Sequence, residues 1–290
     1  PANADILVPD DAVCVIGTTS DRVGYDEIDH LKVTNEEVDI LIREGEKLAP
    51  ALASTRILRA YAGVRPLVAA DNDPSGRSIS RGIVLLDHEK RDGLSGFITI
   101  TGGKMMTYRL MAELATDLVC SKLGIDKPCM TAKIPLPGSE EPMEKKGLST
   151  ERLAEEGRHG TRTSFIPANN SLEKAMVCEC EGVSIGEMKY AVEKLHVKQL
   201  INMRRRTRVS MGTCQGTLCA CRAACVLSEL TKTDAKKSQA DLASVMNERW
   251  KGMRPVAWGD TLKESQLMSM VYEGLCGLNE RTENRKEIAQ

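Results

Sequence analysis

Residues Gly96–Leu123 read GFITITGGKMMTYRLMAELATDLVCSKL. The run 96–101 alternates apolar residues with threonine and predicts a short strand. Gly102-Gly103-Lys104 breaks that pattern. A helical stretch follows to about Leu123, with Met106, Leu110, Leu114, Leu118 and Val119 near helical spacing. A strand, a glycine turn and a helix in succession point to an α/β layer.

Upstream, residues 11–17 (DAVCVIG) read as a buried strand ended by the turn Gly17-Thr18-Thr19-Ser20. Thr34 and Glu37 form a capping-box pattern. Val38, Leu41, Ile42, Gly45 and Leu48 then share one helix face. Residues 56–69 predict an extended strand ending near Pro66, with Gly63 marking a close approach. Another extended run covers 79–86. Residues 1–135 therefore read as α/β. Residues 136–172 read as a linker with one short helix near 148–157.

Residues 173–230 differ: they are cysteine-rich, basic and short-helical. Ser184 and Glu187 repeat the capping-box pattern, starting a helix through about Leu195. Residues 216–230 predict another helix. The tail, 231–290, predicts helices near 238–250 and 261–275, the second with Met268, Val271, Tyr272 and Leu275 on one face. Residues 279–290 are polar and read as frayed.

The chain has 290 residues, 41% hydrophobic and 3% aromatic, with 40 basic and 41 acidic side chains. That balance excludes a generally basic nucleic-acid binder and an acidic disordered chain. No apolar run reaches the ~18 residues of a membrane span. The chain opens on Pro1, and residues 1–19 read like the middle of a domain, so a fragment or processed piece is expected.

Six of the ten cysteines fall within 48 residues. Without a secretion signal, clustered thiols read as metal or redox chemistry in a reducing compartment. The pattern is Cys178-Glu-Cys180, then Cys214-Gln-Gly-Thr-Leu-Cys219. Gly182, Gly212 and Gly216 flank these pairs and permit tight turns. Four thiolates suit a structural zinc or a [2Fe–2S] cluster. Cys221 and Cys225, at i,i+4, read as small packing residues. Cys14, Cys120, Cys129 and Cys276 are scattered. Arg204, Arg205, Arg206 and Arg208 form a basic run, either a solvated face or an offset to thiolate charge.

Three cations sit where apolar strands or glycines surround them: Arg65, Arg81 and Lys104. Buried cations need anionic partners or a ligand, and arginine suits phosphate or carboxylate. A helix start after glycines adds unpaired N–H groups. The residues alone leave two readings, an anion site or salt bridges with Asp71, Asp73 and Asp87. His30, His88, His159 and His196 carry no motif and read as surface residues.

Two resemblances sharpen this. Gly212-Thr-Cys214-Gln-Gly216-Thr-Leu-Cys219 resembles the small helical [2Fe–2S] domain of the bacterioferritin-associated ferredoxin type. That likeness implies ligands Cys178, Cys180, Cys214 and Cys219. Tyr61-Ala-Gly63-Val-Arg65-Pro66-Leu67, Ser80-Arg81-Gly82 and residues 96–109 resemble the C-terminal half of FAD-dependent glycerol-3-phosphate dehydrogenases, most closely the anaerobic branch. The likeness extends to 247–252 and 257–260. It implies that Arg65 and Arg81 grip the phosphate or other oxygens of glycerol 3-phosphate. It implies that Lys104 lies by the reacting carbon, and that Gly102, Gly103, Lys104 and Thr107 face the FAD. It further implies two more subunits, a quinone acceptor and cytoplasmic, peripheral attachment to the inner membrane. The family's Gly-x-Gly-x-x-Gly motif is missing from these residues, so the fragment alone is expected to be inactive. The other classes left open are a non-enzymatic iron–sulfur module and a zinc-binding interaction module.

Overall fold

The computed structural model describes residues 6–10, 12–64, 82–139 and 149–278. In chain order they form β1 (Ile6–Asp10), β2 (Val13–Gly17), α1 (Asn35–Leu48), β3 (Ile83–Asp87), α2 (His88–Asp92), β4 (Ile98–Gly102) and α3 (Tyr108–Lys122). Then come α4 (Thr150–His159), β5 (Met176–Cys178), β6 (Val183–Ser184), α5 (Ile185–Leu195), α6 (Leu200–Thr207), α7 (Ala220–Thr231), α8 (Ala235–Trp250) and α9 (Gly259–Ser269). Each sheet is a two-stranded antiparallel ladder. No helix among the described residues is long and apolar enough to cross a membrane.

The chain divides into two compact units. The first joins 1–21 and 30–62 to 141–290, and the second comprises 22–29 and 63–140. This grouping cuts across the expected 1–135 segment.

In the first unit, β1 and β2 pair with Val8 opposite Val15 and Leu7 opposite Ile16. The strand is real, but its residues are exposed or half-buried rather than buried as expected. The α1 capping box forms: the Thr34 hydroxyl accepts from Glu37 N at 3.2 Å, and Glu37 accepts from Thr34 N at 3.0 Å. Val38 is buried against Met253 and Val256. A side chain at Gly45 would overlap Ile16, so the helix crosses the hairpin closely there.

The described part of the expected strand 56–69, residues 56–64, forms no strand. Its groups are taken by residues distant in sequence. Arg59 donates to Glu248 O at 3.2 Å, Arg56 donates to Thr213 O at 2.8 Å, and Thr261 donates to Ile57 O.

The main core lies among β5, β6 and α5–α9. Val177, Val183, Met188, Ala191, Met203, Val209 and Ala223 have no exposed surface. Burying each larger aliphatic contributes roughly 1.5–3 kcal/mol. Helix α4 falls within the expected linker and packs on this core through charge. Arg158 donates to Glu187 at 2.6 and 2.8 Å, and His159 meets the same carboxylate at 2.8 Å. Two sequence expectations change here. The His159 side chain is 6% exposed, so it is not a surface group. Ser184 does accept from Glu187 N at 3.0 Å, but the Glu187 carboxylate turns to α4.

In the second unit, β3 and β4 pair with Leu85 opposite Ile100 and Ile83 opposite Gly102. Helix α3 has the expected span but no buried residue; Met106 is 90% exposed and Leu110 48%. His88 is tied down by Asp92 at 2.5 Å and Thr99 at 2.9 Å.

Candidate four-cysteine site

Cys178 ends β5, Cys180 follows it in a turn, and Cys219 is the residue before α7. Cys214 lies in the loop between α6 and α7. The four expected ligands converge. The Cys219 thiol meets those of Cys178 and Cys214, and Cys214 also meets Cys180. Cys178 and Cys219 are buried, whereas Cys180 and Cys214 are half-buried. Thr213 Oγ1 lies 3.5 Å from Cys180 Sγ.

Glycines make the approach possible. A Cβ at Gly212 would overlap the Cys180 Cβ. Gly216 has φ +94°, a left-handed conformation that disfavours side chains.

The loop is electropositive toward its sulfurs. Hydrogen bonding from Cys219 and the N–H groups of Leu218 and Gly216 hold the Cys214 thiol down at about 5. Cys219, with the N–H groups of Ser210 and Glu181, lowers Cys178 to about 7. Hydrogen bonding to Cys178 and Cys214, with burial, pushes the Cys219 thiol up. A preset pair of thiolates is what a metal centre recruits. Among the described residues, no three His, Cys, Asp or Glu side chains are arranged to hold one metal ion.

The sequence shows Tyr272 only as part of an apolar stripe. Its hydroxyl donates to Gly216 O at 2.7 Å and Thr217 O at 3.1 Å, pinning the Cys214–Cys219 loop. A tyrosine inside an otherwise aliphatic stripe is the signal available for this role. Leu275 of that stripe is 84% exposed. Cys221 packs half-buried and meets Cys276 and Cys225, while Cys225 is exposed rather than packed. In the basic run, Arg208 pairs with Glu181 at 2.7 Å and Asp10 at 2.5 Å.

Arg65 and Arg81 lie outside the described residues. Gly102 and Gly103 have φ +78° and +67°. A Cβ on Gly102 would overlap Gly82 O, so the hairpin itself requires that glycine. Thr107 Oγ1 accepts from Lys104 N at 2.9 Å, and Lys104 is exposed.

Residues 1–109 match the family described as FAD dependent oxidoreductase. The chain is 61% identical over 284 residues to an anaerobic glycerol-3-phosphate dehydrogenase subunit of Escherichia coli strain K12, covering 96% of this chain and 52% of that protein. The Haemophilus influenzae protein of the same name is 57% identical, covering 97% and 51%. The Haloferax volcanii protein, an A1 form of the same subunit, is 38% identical, covering 93% and 47%. The chain thus spans about half the length of these curated relatives. No solved structure matches it. Along nearly its whole length, the chain is therefore similar to about half of one subunit of the anaerobic glycerol-3-phosphate dehydrogenases.

Proposed function

We propose that this chain is the cluster-bearing portion of a FAD-dependent, quinone-linked glycerol-3-phosphate dehydrogenase. Cys178, Cys180, Cys214 and Cys219 hold a [2Fe–2S] cluster in this reading. The observation that carries it is the convergence of those four thiols, and the resemblance of residues 212–219 to a [2Fe–2S] domain favours the cluster over zinc. The backbone N–H groups aimed at Cys178 and Cys214 are the hydrogen bonds that tune such a centre.

The relatives' names and the match over residues 1–109 support the flavin reaction. The described residues give FAD little support of their own: the space beside Gly102 and Gly103 is taken by Gly82, Thr107 and Met111, and no Gly-x-Gly-x-x-Gly motif is among these 290 residues. A bound flavin would supply the acceptor for the hydride on the secondary carbon of glycerol 3-phosphate, and the hydroxyl proton must leave as well for dihydroxyacetone phosphate to form. Arg65 and Arg81 bind and orient the substrate's phosphate or other oxygens in this reading, and Lys104 reaches toward the reacting carbon. Two further subunits and peripheral attachment to the cytoplasmic membrane face complete the proposal.

The test is anaerobic reconstitution of the chain with iron and sulfide. Visible absorption and an EPR signal on reduction are the expected result, and a colourless protein binding stoichiometric zinc would overturn it. Replacing Arg65 or Arg81 by Ala in the longer enzyme removes a charged hydrogen bond worth ~1.5–3 kcal/mol. Apparent substrate affinity then falls about tenfold or more, as measured by steady-state kinetics.

A further inference from the structure

Four arginines gather in one region of the first unit. Arg56 and Arg59 come from the segment after α1, Arg204 from α6 and Arg249 from the end of α8. Each of Arg59, Arg204 and Arg249 lies close enough to another member to repel its charge. Arg249 is 6% exposed. Among the described residues, its Nη1 meets only the Met253 thioether, and its Nε has no hydrogen-bond partner. Arg59 Nε is likewise buried without a partner. Arg204 is half-buried and has no hydrogen bond or ion pair among the described residues.

Among the described residues, two acids act on this group. Glu264 pairs with Arg56, and Glu248 lies 3.9 Å from Arg59. Four guanidiniums against two carboxylates leave an excess of two positive charges. Burial, then the neighbouring guanidiniums, depresses Arg204 and Arg249 to about 10, still well above neutrality, so both remain charged. Uncompensated buried charge is among the costliest arrangements in a protein. A dianion removes the whole excess, and the planar fork of arginine matches phosphate oxygens in pairs.

We propose that Arg59, Arg204 and Arg249 form a binding site for a phosphate-class dianion. The site shares no residue with Arg65 and Arg81. Arg204 provides its mouth, because Arg249 is enclosed. Its ligand is either free inorganic phosphate or a phosphate monoester.

The test is thermal unfolding of the chain in inorganic phosphate, in sn-glycerol 3-phosphate and in chloride at matched ionic strength. A specific ligand raises the midpoint with its concentration. Phosphate or the monoester is expected to do so and chloride not, the tighter of the two identifying the source. Arg204→Gln provides the decisive arm. In chloride it relieves repulsion, so the variant is at least as stable as the parent. In phosphate it loses most of the increment, with about tenfold or greater loss of apparent affinity. Lack of any phosphate effect would overturn the proposal and point to carboxylates of another polypeptide as the partner. Equal stabilisation of parent and variant, or destabilisation of the variant in every salt, would also overturn it.

Discussion

Cys214 and Cys219 are five residues apart yet titrate in opposite directions, because one supplies the hydrogen bond that the other receives. Cys214, held at about 5, carries its thiolate at neutral pH, whereas Cys219 is pushed up and buried. In the metal-free chain at pH 7, iodoacetamide is expected to label Cys214 well before Cys219, as read by peptide mass spectrometry. The sign follows from the shift. A thiol lowered below its unfolded value contributes stability that is full above about 9 and fades as pH falls to about 5. Labelling of Cys214 therefore persists to about pH 5 and is lost below it. Equal labelling of both residues counts against this arrangement. At the same scale, Arg158→Ala leaves the fully buried Glu187 carboxylate with only His159 against it among the described residues. The expected loss is ~3–5 kcal/mol in chemical denaturation. The grouping of the cysteines was legible because their spacing sets them apart, whereas the choice of four as ligands came from a resemblance. The Glu187 partnership was not legible, since a capping pattern describes only residues three apart and Arg158 lies 29 away.

At the scale of elements, the Cys214–Cys219 loop depends on a glycine and on a tyrosine from another segment. Gly212→Ala places a methyl on the Cys180 Cβ, so the two cysteine pairs separate. The variant is expected to fold but to lose most of the iron-dependent visible absorption after reconstitution. Full cluster content would show that the close approach is dispensable. Tyr272→Phe removes the donor to two loop carbonyls and costs ~1–3 kcal/mol of stability in urea unfolding. Helices α1 and α5 were readable from their capping patterns, which act within a few residues. The segment 56–64 reads as strand and is not one. Its apolar character is genuine, but its polar groups go to Thr213, Glu248 and Thr261, and no local pattern reports partners that remote.

At the scale of the molecule, the two units differ in what they bury. The first has a continuous core from Val177 to Tyr272, while no described residue of the second is fully buried. Its hairpin is only two strands wide, and such a pair has little stability of its own. Sequence periodicity marks the α3 stripe correctly but does not say what faces it, because burial belongs to the neighbour and not to the helix. Local opening should follow this division. In hydrogen exchange, the amides of α5 and α7 are expected to exchange about a hundredfold or more slowly than those of β3, β4 and α3, a gap of ~3 kcal/mol. Equal rates in both units would contradict the division. If the proposal holds, the portion of the relatives that this chain does not span would cover α3. The same α3 amides should then slow in the longer protein while those of α5 and α7 hardly change. Protection confined to α5 and α7 in both proteins would mean that this apolar face stays uncovered.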